Sequence, residues 1–201
     1  MMTKLKLTSL ILIFPLLVFG QVKNIDAGIY KVVYDEGLEN PTHVTYTVQC
    51  PEGTASRKGM DFYSVDSVHT ANNDDYKYNV WDKGHMAPAA NFNCNRETLK
   101  KTFSYLNSAL QHKGLNRGVW KSLETYERKL ALTESPVEVT IEVIFTKNPE
   151  RVPGGAAIPS SFIKSIKTIK RQECYYFEND TPKKSNFKEY LIQCLIPPKL
   201  N

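Results

Sequence analysis

Short segments in which apolar and polar residues alternate are spread along this chain, and such alternation is typical of half-buried β-strands. Residues 30–34 (YKVVY) and 43–49 (HVTYTVQ) are rich in β-branched and aromatic side chains, and residues 137–145 (VEVTIEVIF) alternate over their whole length. We predict a strand at each of these three segments. Residues 61–68 (DFYSVDSV) and 102–107 (TFSYLN) are predicted to be extended as well.

One longer segment, residues 116–132, repeats its apolar positions at helical spacing and contains no proline. Its apolar positions are Val119, Leu123, Tyr126 and Leu130. We predict a helix here, with Asn116 capping its start, and one or two helical turns at residues 95–101. Because the chain has no internal repeat, the pattern predicts a single α+β domain built on a mainly antiparallel sheet flanked by helices.

The N-terminal residues have the pattern of a cleaved secretory signal. Lys4 and Lys6 precede an apolar run at 10–19, and small residues follow in VFG. We predict a signal peptide at residues 1–20 and a mature domain at residues 21–201, secreted or periplasmic and free of the membrane. A retained anchor is the alternative, but the run is shorter than the about 20 apolar residues that span a bilayer and contains Pro15.

Net charge adds little to this picture. Removing residues 1–20 deletes two lysines and no acids, so the formal charge falls from +5 to +3. A small positive excess is compatible with a polyanionic partner, but it more often serves solubility. Charge alone therefore identifies no substrate.

Cys50, Cys94, Cys174 and Cys194 are an even number of cysteines, and in an exported chain such cysteines tend to form disulfides. They lack the close paired spacing of a zinc site. The strand-like runs ECYYFEN and EYLIQC, folded as a hairpin about residue 184, would place Cys174 opposite Cys194. We therefore predict Cys174–Cys194 and Cys50–Cys94 among the three possible connectivities; in a reducing cytoplasm all four would be core residues.

Candidate chemistry is concentrated in the stretch WDKGHMAPAANF, residues 81–92, and in the predicted helix. Asn116, Trp120, Glu124 and Arg128 are spaced by four, so each step rotates only about 40° around the helix axis and the set shares one face. By itself, such a set of residues is more often a solvent-exposed helix face that carries an ion pair. His85 lies on a preceding strand or loop, a second strand ends at Asn107, and the helix opens with Asn116. This order brings the imidazole of His85 and the amide oxygen of Asn116 to one end of a β-β-α unit.

These residues resemble the DNA/RNA non-specific endonuclease family, the sugar-non-specific nucleases of the ββα-metal fold. The family's Asp-Arg-Gly-His signature stands here as Asp82, Lys83, Gly84 and His85. Its second block is matched by Asn107, Leu110-Gln111, Asn116, Trp120, Leu123-Glu124 and Arg128. Looser matches are SRKGMDFYSVD, which contains Arg57, and IPSSFIKSI at residues 158–166, so that the resemblance covers most of residues 45–195.

The resemblance implies a role for each catalytic position. His85 would be the general base that takes a proton from the water attacking a phosphodiester. Asn116 would hold Mg²⁺, with Mn²⁺ as an alternative ion, because hard cations prefer oxygen ligands and retain several waters. Glu124 would orient a water at the metal, and Arg57 and Arg128 would neutralise phosphate oxygens.

The remaining positions of the two blocks are expected to serve the substrate or the backbone. Lys83 is a candidate substrate contact, and Asn107 and Gln111 are candidates to position either the substrate or the backbone. Asp82 is expected to accept a hydrogen bond, either to orient a site residue or, as we favour, for the local structure alone. Gly84 is expected to permit a backbone conformation or a close approach that a side chain would block. Lys83 replaces the signature arginine and so loses a planar two-pronged contact to phosphate. Leu110 replaces a proline and removes no chemical group.

The implied function is a secreted, Mg²⁺-dependent endonuclease that cuts DNA and RNA with little sequence preference, as a monomer or homodimer. The alternative is a catalytically weakened protein of the same fold that binds nucleic acid or another polyanion. A purely structural domain would explain none of the coincident spacings.

Overall fold

The computed structural model describes residues 21–194. The signal peptide predicted for residues 1–20 lies outside the described residues. No helix within the described range is both long enough and apolar enough to cross a bilayer.

The elements alternate between strands and short helical turns, with one long helix. The strands are β1 Val22–Asp26, β2 Tyr30–Asp35, β3 Asn40–Thr47, β4 Trp81–His85, β5 Ser108–His112, β6 Glu138–Ile144, β7 Ser161–Lys167, β8 Gln172–Glu178 and β9 Leu191–Ile192. The helices are α1 Arg96–Lys101, the single turn α2 Lys113–Leu115, a π-helical segment Asn116–Trp120 and α3 Lys121–Thr133. Single 3₁₀ turns occupy Asn73–Tyr76, Ala89–Asn91, Tyr105–Asn107 and Phe187–Tyr190.

Seven strands form one antiparallel sheet in the order β1-β2-β3-β6-β7-β8-β9, and β4 pairs with β5 in a separate two-stranded ribbon. Alternation along the strands decides which side chains enter the core. Val139, Ile141 and Val143 of β6 face inward and pack in the same core as Leu123 of α3. Burial of each such side chain contributes about 1.5–3 kcal/mol. The predicted α+β fold with a mainly antiparallel sheet is confirmed.

The predicted strands at 30–34, 43–49 and 137–145 correspond to β2, β3 and β6. The predicted strand at 102–107 is wrong, because this segment closes into a compact turn. The Ser104 side chain accepts a hydrogen bond from the Leu106 N–H, and the Asn107 amide donates to the Thr102 carbonyl. Short polar side chains of this kind compete with ladder pairing, so the strand β5 starts only at Ser108, after the predicted segment.

The extended piece predicted at 61–68 is confirmed only in part, because residues 61–65 contain no helix or turn whereas residues 66–67 form a turn. Only Tyr63 pairs, in an isolated parallel bridge to Ser104, and the Val68 N–H turns back to the Val65 carbonyl. Residues 95–101 form the predicted short helix, α1, which Asn95 caps through the Thr98 N–H.

Asn116 does not cap the long helix as predicted. The His112 ring accepts a hydrogen bond from the Gly114 N–H, so the helical path starts earlier, and Asn116 has helical torsions, φ −56° and ψ −47°. The path then passes through the π segment before α3. Single π turns of this kind are frequent at functional sites.

Both predicted disulfides are present. Cys50 and Cys94 are bridged with their Cα atoms 5.4 Å apart, and Cys174 and Cys194 with theirs 5.2 Å apart. β8 and β9 form the predicted antiparallel hairpin, in which Cys174 lies opposite Ile192.

Candidate active site

His85 is the last residue of β4, where its pairing with Ser108 of β5 sets its position. One residue earlier, a Cβ at Gly84 would collide with the Gln111 side chain, so the predicted close approach at this glycine is confirmed. The His85 ring lies between two phenylalanines, with centroid distances of 4.9 Å to Phe62 and 5.0 Å to Phe103. The ribbon therefore places the imidazole in an apolar setting.

This setting determines the protonation of His85. Burial, and secondly the positive charge of Arg57, lower the pKa of the imidazole to about 4. Its Nε2 atom is shielded from solvent and has no hydrogen-bond partner among the described residues. A buried polar atom without a partner is uncommon. At neutral pH the ring is thus uncharged, with a nitrogen uncommitted to the protein.

Asn116 is oriented by Asp82 of β4. The Asn116 Nδ2 donates to Asp82 Oδ2 at 2.9 Å, and Arg117 holds the same carboxylate in a two-pronged contact of 2.8 and 2.6 Å. Burial alone would raise the pKa of Asp82, but the hydrogen bonds from Arg117 and Asn116 hold it below its usual value. Because the side-chain NH₂ group of Asn116 is bonded to Asp82, the side-chain carbonyl oxygen, which has no hydrogen bond to another described residue, is the atom that can bind a ligand.

Glu124 and Arg128 follow on the same face of the helix. Burial raises the pKa of Glu124 to about 7, although the positive charge of Lys164 opposes this shift. Arg128 donates to Asn91 Oδ1 at 3.1 Å and to Thr125 Oγ1 at 3.0 Å. The carboxyl group is therefore readily protonated in the free protein, and the guanidinium is fixed by two neutral acceptors.

A buried network of polar side chains is centred on Glu127 of α3. Glu127 Oε1 accepts from Lys164 Nζ at 2.8 Å, and Glu127 Oε2 accepts from Tyr46 and from Asn91, both at 2.7 Å. The Lys164 ammonium also lies 4.1 Å from the centre of the Trp120 ring. The network joins β3 and β7 to α3, and through Asn91 it reaches Arg128.

These elements enclose a cleft of ≈ 690 Å³. Six of the predicted site residues line it: Arg57, Lys83, His85, Asn116, Glu124 and Arg128. Arg117 and Lys121 line it too, so five cationic side chains surround the cleft against the two carboxyl groups of Asp82 and Glu124. Excess positive charge in a concave site favours an anionic ligand.

Asn107 and Gln111, predicted as substrate contacts, do not line the cleft, and both are fully buried. The Asn107 amide accepts from the Ala87 N–H and donates to the Ala87 and Thr102 carbonyls. Asn107 thus ties together the chain segments that follow β4 and α1. Gln111 packs against Gly84. Their side chains serve the local structure in this geometry.

Lys83 lines the cleft, but its ammonium group is occupied within the protein. It lies 5.2 to 5.8 Å from the ring centres of Phe62, Tyr76 and Tyr105, and it donates to Asp61 at 3.3 Å and to Asn73. Cation–π contacts and these acceptors hold the group away from an added ligand. The structure therefore favours a positioning role for Lys83 beside Phe62 and His85.

Arg117 and Lys121 are the site residues that the sequence motifs did not single out. Arg117 directly follows Asn116, and Lys121 lies four residues further along, which is one helical turn. This spacing was a usable signal for a basic stripe along the cleft. Phe62 lies within the looser family match SRKGMDFYSVD. Phe103 left no such signal, because aromatic residues in loops are common in any core.

The donor set of the cleft suits a hard divalent cation. Among residues 21–194, no group of three or more His, Cys, Asp or Glu side chains is arranged to hold a metal ion. Mg²⁺ takes oxygen ligands, retains several waters and is often completed by substrate phosphates, so it needs few oxygen atoms from the protein. The free carbonyl oxygen of Asn116 meets that requirement.

Comparison with known proteins agrees with this geometry. The sequence profile of the family described as DNA/RNA non-specific endonuclease matches residues 9–197. The mitochondrial endonuclease G of Bos taurus is 37% identical over 127 residues, which are 60% of this chain and 42% of that protein. The mitochondrial nuclease EXOG of Mus musculus is 40% identical over 106 residues, 50% of this chain and 29% of that protein. The chain spans less than half the length of these relatives.

The fold is also similar to that of a solved structure. A chain in the crystal structure of the EndoG/EndoGI complex, described as the mechanism of EndoG inhibition, superimposes with a TM-score of 0.76 at 24% identity. The match covers 87% of this chain and 82% of that one. At this identity the similarity establishes the fold.

Proposed function

Because this chain belongs to the DNA/RNA non-specific endonuclease family, we propose that it is a divalent-metal-dependent endonuclease that hydrolyses phosphodiester bonds in DNA and RNA. The observation that carries the proposal is the shared cleft. It combines an uncharged imidazole, an uncommitted amide oxygen and five cationic side chains. A general base, a metal ligand and phosphate contacts are the groups that metal-assisted hydrolysis requires.

In this proposal His85 is the general base. Its ring is uncharged at neutral pH, so it can accept a proton from the water that attacks the phosphorus. As the new P–O bond forms, the bond from phosphorus to one ester oxygen breaks, and that oxygen leaves and takes a proton from water. Phe62 and Phe103 keep the ring in place and exclude bulk water from one side. An imidazole with a pKa of about 4 is a weak base in the free protein, and the negative charge of a bound phosphate raises that pKa.

Asn116 would hold the divalent ion, Mg²⁺ or Mn²⁺, through its carbonyl oxygen, while Asp82 orients the amide by accepting a hydrogen bond from its Nδ2. A bound ion supplies positive charge next to the phosphate and so favours the more negatively charged transition state. Glu124 accepts hydrogen bonds from water in the same cleft, and it does so best when ionised.

Arg57 and Arg128 neutralise phosphate oxygens in this proposal. Arg128 enters the cleft in a fixed orientation because Asn91 and Thr125 accept its hydrogen bonds. Arginine contacts of this type bind the phosphate backbone, which carries no sequence information. Little sequence preference, and activity on both DNA and RNA, follow from that.

The alternative, a catalytically weakened protein that binds nucleic acid, draws on one observation. The lowered pKa of His85 reduces its basicity in the free protein, whereas the cationic rim of the cleft remains. A plasmid-nicking assay with Mg²⁺, run with and without EDTA, separates the two functions. Cleavage that EDTA abolishes supports the enzyme, and DNA binding without cleavage supports the alternative.

We also propose export to a periplasm or the medium. The two disulfides support it, since disulfides persist in oxidising compartments, and the pattern of residues 1–20 points the same way. The relatives are named as mitochondrial proteins. Cell fractionation with N-terminal sequencing tests the proposal, and a mature protein that begins at Gln21 is the expected result. Full-length protein in the cytosol would contradict it.

A further inference from the structure

A second groove lies beside the cleft, between the start of the long helical path and the loop at residues 181–185. Its volume is ≈ 590 Å³. Arg117 lines both the groove and the cleft, so the two depressions adjoin at this side chain. A ligand that fills the cleft and continues past Arg117 therefore enters the groove.

The side chains of this groove suit phosphate groups. Among the described residues that line it, Lys183 and Lys184 are cationic, as is Arg117, whose guanidinium is paired with Asp82, and none of the lining residues carries a carboxyl group. Three hydroxyl groups, those of Ser122, Thr181 and Ser185, accompany them. Lysine, arginine and small hydroxyl side chains are the usual partners of the nucleic-acid backbone.

The loop that carries the two lysines is anchored to the sheet. The Lys184 N–H donates to the Tyr190 hydroxyl at 3.0 Å, and that hydroxyl donates to the Lys184 carbonyl at 3.1 Å. The Tyr190 ring in turn lies 4.9 Å from the Phe177 ring, and the Cys174–Cys194 bridge closes the segment. The lysines are thus presented from a fixed backbone.

Their ammonium groups are available for exchange with a ligand. Lys183 has an 84% exposed side chain and a single ion-pair contact of 3.6 Å with Glu178. Lys184 donates to the backbone carbonyl of Glu189 at 3.2 Å. Exposed contacts of this type contribute little free energy, so phosphate oxygens displace them at small cost.

We propose that this groove is a second phosphate-binding subsite, which holds the nucleic-acid backbone on one side of the bond being cut. The inference rests on the proposed function of the cleft and extends it to the length of the substrate. One strand of DNA carries a phosphate for about every 3.4 Å of helix axis, so a strand that crosses the groove presents several. The preferred substrate is consequently a polymer that extends beyond the cleft, and a single phosphodiester lacks these contacts.

The test compares K183A/K184A with K31A/K167A, a matched pair on the other face of the sheet. Lys31 and Lys167 are also exposed, and each has one weak ion-pair partner. Both variants lose two positive charges, so they share the same change in overall attraction. K183R/K184R keeps the charge and serves as the rescue, and melting temperatures verify the fold of every variant.

Binding is measured in EDTA with a DNA duplex longer than the cleft, so that cleavage plays no part. For K183A/K184A we expect affinity to fall by about 10-fold. The plot of log affinity against log salt concentration should become less steep by about 2, because each lost phosphate contact removes about 0.9 from the magnitude of its slope. K31A/K167A is expected to change affinity less than about 2-fold, since distant charges are screened. Equal effects of the two pairs, or none from either, would overturn the subsite.

Cleavage in Mg²⁺ completes the test. K183A/K184A is expected to raise KM for plasmid DNA about 10-fold and to leave the cleavage of a dinucleoside phosphate unchanged. An equal loss on both substrates overturns the subsite. If the wild type binds DNA with the expected difference between the variants yet cuts neither substrate, the proposed function fails while the subsite stands.

Discussion

Lys164 Nζ donates a 2.8 Å hydrogen bond to Glu127 Oε1, and both side chains are fully buried. The pair links β7 to α3, and Glu127 also accepts from Asn91, which in turn accepts from Arg128. A continuous chain of contacts therefore runs from the middle of the sheet to a cationic group in the cleft. The position of Arg128 depends on residues that themselves never reach the cleft.

We expect Lys164→Met to destabilise the protein by about 3–5 kcal/mol, because it leaves the Glu127 carboxylate buried without its charged partner. Urea unfolding measures the loss. The double variant Lys164→Met/Glu127→Gln is the control, since it removes both charges while the glutamine oxygen still accepts a hydrogen bond. Recovery of much of the lost stability is expected there, and a double variant as unstable as Lys164→Met would refute the charge argument.

His85→Ala is expected to keep the fold and the affinity for nucleic acid while the nicking rate falls by about 10²–10⁴, the usual loss for a general base. Binding rests on arginine and lysine contacts that this change leaves intact. His43→Ala, on a half-exposed histidine that pairs with Glu142, is the matched control and should nick normally. An unfolded His85→Ala protein would favour a structural role, and an unchanged rate would remove His85 from the mechanism.

Asn116→Ala is expected to reduce cleavage greatly, because the proposed protein ligand of the ion is removed. Asp82→Ala should act more mildly: it frees the amide to rotate, and so it raises the Mg²⁺ concentration needed for half-maximal activity. Titration of activity against Mg²⁺ for both variants measures this. Full activity of Asn116→Ala at low Mg²⁺ would place the ion elsewhere.

The lowered pKa of His85 predicts a pH effect with a definite sign. In the metal-free protein, NMR should show His85 titrating with a midpoint near pH 4, and Arg57→Gln should raise that midpoint because a nearby positive charge is lost. An unfolded histidine titrates at about 6.5, so the unfolded state binds more protons between these values and stability falls as the pH drops through this window. A His85 midpoint near 6.5 in the folded protein would contradict the apolar environment described for the ring.

Local sequence patterns predicted those parts of the fold that depend on local physics. Alternation identified β2, β3 and β6, because a strand with one buried face carries its apolar residues at every second position. It failed at residues 102–107, where the hydrogen bonds of Ser104 and Asn107 close a turn that a polar-apolar pattern does not distinguish from a strand. The helix start was misplaced for the same kind of reason, since the ring of His112 takes the capping role.

For the site, helical spacing and the resemblance to a known family pointed by sequence alone to cleft residues between His85 and Arg128, which strand pairing and the helix bring together locally. Only the tertiary structure decided that Asn107 and Gln111 are buried away from the cleft and that Lys83 is enclosed by aromatic rings. It also decided that Lys164 is connected to Arg128 through Glu127 and Asn91. Polar side chains such as those of Asn107 and Lys164 bond to whichever partner the packed fold supplies. That partner can lie anywhere along the chain, as Glu127 does for Lys164, so neither spacing nor residue type specifies it in advance.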